Sequence, residues 1–433
     1  MFEIRWFVIL LAFLCGSCPA QEFRVGAAIA DITPGKPTPM WGYGARHSTL
    51  SQGALDPLRA RAIVIEADGQ RLAIVGADLG RGPTMAMMKR IRERVAAEAK
   101  VQHVMISGSH THHGPVIELT DREGYGKGKY DDAVAYAKVL PDMLSEVIIA
   151  ASKDLRSARI GTTAKDLPLN RNRHSKKKPA AVDPRMTVMR FDDIEGKPIA
   201  VLVNWTAHPV MTEMTTLKFS ADYPGFLADK VAKELGAPCV FMQGASGDLS
   251  PNAGEHRGPE LYGKKLADHV LDLARSVETK VPDKPSIASR VQTFSFASRI
   301  DFSSPAIVLA FGIAFFPELV RNFAKEFKDG IPAELIVVLL NGNIALVGGS
   351  GEFFCNHANR LRERVYLDHT LFFGYCNGHG MYFPTIEAVY EGGYGADKPV
   401  SPAEIGAGEK IMNAALLTIF QLASRKMREK NYR

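Results

Sequence analysis

The sequence has few cysteines and lacks an apolar run long enough to span a membrane. It has 5 cysteines in 433 residues, and only Cys239, Cys355 and Cys376 follow the N-terminal segment. An odd number excludes a fully paired disulfide framework, although Cys355 and Cys376 could still pair with each other. A membrane-spanning helix needs ~20 apolar residues, and the apolar run from Ala306 to Phe316 is too short. These shortages predict a soluble protein whose stability comes from a packed core.

The sequence also has a small net charge and lacks long runs of like charge. The net charge is +6, and no block of like charges is longer than Lys176–Lys178. There is no basic stripe interleaved with aromatic residues, so we expect no nucleic-acid partner. The hydrophobic fraction of 46% and the charged fraction of 23% are close to the averages of globular proteins.

The first twenty residues have the pattern of an export signal. Arg5 supplies a positive charge, Phe7 to Cys15 is apolar, and Cys18-Pro19-Ala20 offers small residues for cleavage. We expect cleavage after Ala20, so that residues 1–20 are a signal peptide and the protein is secreted or periplasmic. Lipid attachment at Cys18 is the alternative, for which the preceding residues fit an acylation box poorly.

One order of elements occurs three times along the chain: a strand, a Gly turn, a second strand, a helix and a third strand. Runs of β-branched residues broken by Gly turns predict the strands. The three units span Ala62–Ile106, Thr187–Met242 and Leu335–Phe373. The sequence thus predicts an α/β fold with mixed sheets, in which hairpin–helix–strand units repeat three times and helices pack on the sheets.

Reactive side chains follow the strands of these units. After the second strand of each hairpin come Asp78, His208 and Glu352, and after each third strand come His110 and His112, Ser250, and Tyr382. Ligands of open α/β sheets gather beyond the carboxyl ends of strands. Segments distant in the chain are therefore expected to deliver these side chains to one place.

Several of these residues suit zinc. His110 and His112 are two residues apart, so on a strand-like segment they point to the same face. A catalytic zinc normally has three protein ligands and an open position, so a histidine pair alone is insufficient. His208, held by Pro209, could be a ligand or a packed residue. Glu352 could bind a metal, or it could be an acidic residue that the helix dipole stabilises at a helix N-terminus.

Two glycine-rich segments add further candidates. The turn Gln243–Asn252 could direct backbone N–H groups at an oxyanion, and it presents Ser250 as a nucleophile, a donor or a turn-stabilising residue. The segments Asn377–Thr385 and Tyr390–Tyr394 suggest a shaped loop near the site, or an ordinary aromatic surface loop.

Together and in this order, the segments resemble the neutral/alkaline, non-lysosomal ceramidases, which hydrolyse the amide of ceramide to sphingosine and a fatty acid. The resemblance runs from about Val25 to about Tyr394. The motifs that carry it, beside Asp31-Ile32-Thr33-Pro34, are His110–Pro115, Gly247–Asn252, Gly351–Phe353 and Gly380–Tyr382.

The resemblance implies a zinc ion and a set of catalytic residues. The implied ligands are His110, His208, Glu352 and Tyr382. The implied catalytic residues are Ser250, His112, Arg173 and Tyr390, of which His112 is suited to act as a base or to orient water. Attack by a water molecule and attack by Ser250 both stay open.

Three departures from the family pattern bear on the substrate. His113 replaces a serine, Ser350 replaces a proline, and only a predicted helix at Pro402–Arg428 follows the core, where the family carries a C-terminal β-sandwich domain. We expect residues 21–433 to form one catalytic domain ending in that helix. These departures do not change the expected reaction type, but they leave the identity of the substrate undetermined.

The expected function is zinc-dependent hydrolysis of an N-acyl amide bond in a small molecule or lipid, with transient contact with a membrane surface. One alternative is an amidase or esterase that acts on a non-lipid acylated substrate, such as an N-acetylated sugar. The other is a non-catalytic binding protein with a relict site. The sequence does not indicate the oligomeric state.

Overall fold

The computed structural model describes residues 22–46, 48–119, 128–314 and 317–431. The predicted export signal lies outside these ranges. Within them, no helix combines the length and the apolar character needed to cross a membrane.

The first structural unit contains four strands and two helices. They are β1 (Phe23–Asp31), β2 (Arg59–Ala67), β3 (Gln70–Ala77), α1 (Met85–Ala99), β4 (His103–Gly108) and α2 (Asp131–Lys153). β1, β2 and β3 form an antiparallel meander, and β4 returns parallel to β3 after the crossover helix α1.

The second unit repeats this order with two short additional strands. Its elements are β5 (Arg156–Asp166), β6 (Asn170–Asn172), β7 (Arg185–Asp193), β8 (Pro198–Trp205), α3 (Asp222–Leu235), β9 (Cys239–Gln243), β10 (Leu249–Pro251) and α4 (Pro259–Ser276). β5, β7 and β8 are antiparallel, and β9 is parallel to β8.

The third unit has the same plan with a helical insertion after its first strand. Its elements are β11 (Ile287–Phe296), α5 (Pro305–Ala314), α6 (Pro317–Glu326), β12 (Ile331–Leu340), β13 (Ile344–Gly349), β14 (Glu352–Phe353), α7 (Cys355–Arg364), β15 (His369–Phe373), β16 (Tyr382–Phe383), α8 (Ile386–Glu391) and α9 (Ala407–Asn431). β15 is parallel to β13. The predicted threefold repeat is confirmed, and the structure adds a strand before each hairpin and a helix after each unit.

Turn chemistry sets the hairpins. The two residues that join β2 to β3, Asp68 and Gly69, have φ of 51° and 69°, and Asn341 and Gly342 between β12 and β13 have φ of 53° and 79°. Asp-Gly and Asn-Gly tolerate two successive positive φ values, which occur both in the two-residue turn Asp68-Gly69 and in the three-residue turn Asn341–Asn343. The local sequence therefore fixes the register of these hairpins.

Each unit has an inner and an outer apolar face. The outer faces pack on the unit's own helices, and the inner faces of all three units form one central core. Central residues from the three units include Ile63 and Met105, Leu202 and Met242, and Leu346 and Phe373. Units 1 and 2 also join through the antiparallel pairing of β1 with β5 into an eight-stranded sheet, whereas unit 3 has a separate four-stranded sheet.

Three sequence-based interpretations of the fold differ from the structure. Cys355 and Cys376 are both free and buried, so they do not pair. Asp78 does not face the site but forms a buried ion pair with Arg61, at 2.9 Å between the carboxylate and the guanidinium. The terminal helix, expected at Pro402–Arg428, is α9 and starts later, at Ala407.

Candidate active site

Side chains from all three units meet in one buried cluster at the ends of the strands. His110 and His112 follow β4, His208 follows β8, and Glu352 opens β14 just after β13. The Nε2 atom of His110 lies 2.9 Å from that of His208 and 3.3 Å from that of His112. Oε2 of Glu352 lies 3.3 Å from His110 Nε2 and 3.4 Å from His208 Nε2. The predicted convergence is therefore present for His110, His112, His208 and Glu352.

Backbone carbonyls fix the tautomers of two of these histidines. His110 Nδ1 lies 2.6 Å from Gly80 O, and His208 Nδ1 lies 2.7 Å from Ser246 O. A carbonyl oxygen only accepts hydrogen bonds, so each Nδ1 carries the proton and each Nε2 keeps its lone pair. Donating the outer nitrogen to a backbone carbonyl is the usual arrangement of a metal-ligating histidine.

This arrangement fits a cation. The unprotonated Nε2 atoms of His110 and His208 lie 2.9 Å apart. Oε2 of Glu352 is buried without a hydrogen-bond partner among the described residues. Ligand atoms around a tetrahedral zinc lie about 3.3 Å apart, given zinc–ligand distances of about 2.0–2.2 Å. The separations from 2.9 to 3.4 Å between His110, His208 and Glu352 are close to that value. Imidazole nitrogens and a carboxylate oxygen are ligands that zinc accepts.

His112 differs from the two carbonyl-bonded histidines. Its Nδ1 is buried without a hydrogen-bond partner in the described part of the chain, so no carbonyl fixes its tautomer. Burial and the neighbouring His110 and His208 hold its pKa well below 6.5. A neutral, unanchored imidazole that lines the pocket can accept a proton.

Arg173 and Tyr382 close the other side of the cluster. One guanidinium nitrogen of Arg173 lies 3.0 Å from Gly247 O, 3.1 Å from the Tyr382 hydroxyl and 3.0 Å from His208 Nε2. Burial and the charge of Arg173 lower the pKa of His208 to about 3. Burial and Glu352 raise the pKa of Tyr382 well above 10, and its hydroxyl lies 3.5 Å from His208 Nε2. Tyr382 therefore has the position of a fourth ligand but remains a phenol in this arrangement.

The cluster opens into a pocket with apolar walls. Polar groups are concentrated at the His110, His112 and Glu352 end, and the opposite walls are formed by Trp41, Leu319, Phe323, Met381 and Val400. A small apolar cavity, which also contacts Phe302 and Phe327, shares Phe323 and Met381 with the pocket. The site thus combines a polar end with an apolar extension beneath α6.

The sequence profile described as neutral/alkaline non-lysosomal ceramidase, N-terminal, matches residues 23–260. The chain belongs to this family.

Named relatives and solved structures agree with the family assignment. Neutral ceramidase A of Dictyostelium discoideum is 28% identical over 58% of this chain and 38% of its own length. The neutral ceramidase of Oryza sativa is 28% identical over 56% of this chain and 34% of its own length. The chain thus spans little more than a third of these curated relatives.

The fold is that of solved ceramidases. The structure of the Pseudomonas aeruginosa neutral ceramidase superimposes with a TM-score of 0.75 at 20% identity, over 94% of this chain and 75% of that one. A ceramidase complexed with C2 gives a TM-score of 0.71 at 19% identity, over 95% of this chain and 76% of that chain.

Ser250, which the resemblance implies to be catalytic, is not among the described residues that line the pocket. It is buried on β10, opposite Arg171 of β6. Ser246, in the turn before Ser250, contacts the site directly. Its carbonyl accepts the Nδ1–H of His208, and its hydroxyl lies 2.9 Å from the Tyr375 hydroxyl. The Tyr375 ring in turn stacks on His110 with ring centroids 4.1 Å apart.

Tyr390 needs correction, because it points away from the site. It is 86% exposed and is not among the described residues that line the pocket. Tyr394 lines the pocket instead, with its ring centroid 5.7 Å from that of Tyr382. Gly392 and Gly393, with φ of 64° and 105°, end α8 and redirect the chain toward the site. The glycine pair before Tyr394 was the signal in the sequence.

Sequence reasoning also missed His379. It is buried, and its Nε2 lies 3.3 Å from Glu352 Oε1. The signal was available, since Gly378-His379-Gly380 is a polar residue between glycines shortly after a strand.

Proposed function

We propose that this chain is a zinc-dependent hydrolase that cleaves the N-acyl amide bond of ceramide or a ceramide-like lipid. The main supporting observation is the buried convergence of the His110 and His208 lone pairs with an unpartnered Glu352 oxygen, beside a pocket with apolar walls. Membership of the ceramidase family supports the reaction type, and the relatives named neutral ceramidases support the substrate class.

His110, His208 and Glu352 would hold the zinc ion, with Tyr382 as the fourth candidate ligand. Bound zinc supplies a Lewis acid for the acyl carbonyl and lowers the pKa of a bound water toward ~7. His112, neutral and facing the same space, accepts the proton from the attacking group. Arg173, directed into the cluster, and Tyr394, at the pocket wall, are donors for the developing oxyanion.

Attack by water is favoured over attack by Ser250, because Ser250 does not line the pocket among the described residues. The two routes differ in their intermediates, since a serine route forms an acyl-enzyme. Intact-mass measurement during turnover tests this. An acyl adduct that is absent from Ser250→Ala would refute the water route.

The apolar walls favour a lipid over an N-acetylated sugar. A sugar carries hydroxyls that need hydrogen-bond partners when buried, whereas the pocket's polar side chains are concentrated at the zinc end. An acyl chain is satisfied by apolar contacts alone. The small cavity next to Phe323 and Met381 is also lined by apolar side chains, which agrees with an acyl chain as the ligand on this side.

The deciding experiment measures zinc content and amide hydrolysis on the same preparation. We expect about one zinc per chain, ceramide cleavage that a chelator abolishes and zinc restores, and faster cleavage of long-chain than of acetyl amides. His208→Gln should lose zinc and activity. His369→Gln should keep both, because His369 starts β15 outside the cluster.

The outcomes separate the claims. Zinc with cleavage of acetyl amides alone would favour the non-lipid amidase. Zinc without hydrolysis of any amide or ester would favour the relict binding protein. A preparation that takes up no zinc would refute the metal mechanism.

We also propose export, on the charged and apolar pattern of residues 1–20. Expression in a host with a signal peptidase should give a mature protein that starts at Gln21. Retention of Met1 in the extracellular or periplasmic fraction would contradict this.

A further inference from the structure

Glu352 has two carboxylate oxygens with different surroundings. Oε2 faces the Nε2 atoms of His110 and His208. Oε1 lies 3.3 Å from Nε2 of His379. His379 is 4% exposed, and its Nε2 has no hydrogen-bond partner by strict geometry among the described residues.

A backbone contact decides which nitrogen of His379 carries the proton. The N–H of Met381 donates to His379 Nδ1 at 3.2 Å. An accepting Nδ1 has no proton, so in the neutral ring the N–H is at Nε2, the nitrogen that lies 3.3 Å from Glu352 Oε1.

The chain holds the imidazole and the carboxylate in a fixed relation. The backbone N–H of Glu352 donates to Met381 O at 2.9 Å, and Gly380 N–H donates to Ser350 O at 2.9 Å. Trp41 packs edge-on against the His379 ring with centroids 5.5 Å apart. The His379 loop is thus bonded to the Glu352 segment through the backbone, and the His379 ring is held in place from its other side.

We propose that His379 is a positioning residue that orients Glu352 by donating from Nε2 to Oε1, so that Oε2 points at the metal position. The proposal rests on the proposed zinc site and adds a residue to it. Outer groups that hydrogen-bond metal ligands typically change metal affinity by about 10- to 100-fold when removed. A ring that only filled space would have no such effect on affinity.

The test compares two substitutions in the full-length protein. His379→Phe keeps a ring against Trp41 but removes the donor, and His379→Gln keeps an N–H at a position close to Nε2. Zinc dissociation constants come from competition with a chromogenic chelator, and the melting temperature of each metal-free variant reports folding. We expect zinc binding about 10- to 100-fold weaker in His379→Phe and within about threefold of wild type in His379→Gln.

A double-mutant cycle with Glu352→Gln completes the test. If His379 acts through the carboxylate, His379→Phe should weaken zinc binding little further in the Glu352→Gln background. Wild-type zinc affinity in a folded His379→Phe variant would overturn the proposal, as would equal losses in the Phe and Gln variants. If His379→Phe does not fold, a His379→Leu variant takes its place. Absence of zinc from the wild-type protein would instead refute the proposed function itself.

Discussion

At the residue scale, four histidines of the site are distinguished by what their second nitrogen contacts. His110 and His208 donate Nδ1–H to carbonyls, His379 accepts a backbone N–H at Nδ1, and His112 Nδ1 has no partner among the described residues. The residue type alone gives no such distinction. These different backbone contacts agree with the roles proposed for the imidazoles, which are two ligands, a positioning group and a base.

The two tyrosines after α8 offer a matched pair for testing the catalytic set. Both are exposed, Tyr394 at 66% and Tyr390 at 86%, but of the two only Tyr394 is among the described residues that line the pocket. We expect Tyr394→Phe to lower kcat by about 100-fold, as loss of one oxyanion donor does, while Tyr390→Phe leaves kcat within twofold. Steady-state kinetics on a ceramide substrate measures both. Equal effects of the two substitutions would remove Tyr394 from the proposed mechanism.

At the element scale, each unit places its reactive residues at the same edge of its sheet. The second hairpin strand and the strand after the crossover helix are parallel neighbours in every unit. Their carboxyl ends therefore lie side by side, and the segments that leave them carry His110, His208 and Glu352. The central core holds the three edges together.

A substitution in the central core should therefore weaken both the fold and the site. Leu346 of β13 is fully buried, whereas Val291 of β11 is 45% exposed. We expect Leu346→Ala to lower the free energy of unfolding by about 2–5 kcal/mol, and Val291→Ala by less than about 1 kcal/mol. Urea unfolding of the metal-free proteins compares them. Similar losses from both would mean that the central core does not dominate stability.

At the scale of the whole molecule, buried histidines link stability to pH. Burial and Arg46 lower the pKa of His113 to about 4 in the folded chain, whereas an exposed histidine has a pKa of about 6.5. Between these values the unfolded chain binds a proton that the folded chain does not. Stability from His113 is therefore present above pH ~6.5 and declines as the pH falls toward 4.

The variant His113→Gln isolates this contribution. Gln can still donate to Glu213 O, which lies 3.1 Å from His113 Nε2. Between pH 6.5 and 4, we expect the metal-free wild type to lose about 3 kcal/mol more of its unfolding free energy than the variant. Chemical unfolding at a series of pH values measures the difference. Parallel pH curves would show that His113 does not titrate on unfolding.

Much of this molecule follows from its sequence by local rules. Asp-Gly and Asn-Gly between apolar runs predict the hairpins, and the runs themselves predict the strands, because turn conformation and strand preference depend on near neighbours. The repeated order of these elements identifies the three units. The position of His110, His208 and Glu352 just after strands predicts that they meet.

Tertiary structure alone decided which neighbouring side chains enter the site. Sequence reasoning chose Tyr390, but the turn at Gly392 and Gly393 presents Tyr394. It placed Asp78 with the reactive residues, but Arg61 holds that carboxylate in a buried ion pair. These outcomes depend on contacts between residues far apart in the chain, and such contacts leave no periodic trace in the sequence. The strand order is encoded locally, whereas the roles of individual side chains arise only when three separate units pack around one core.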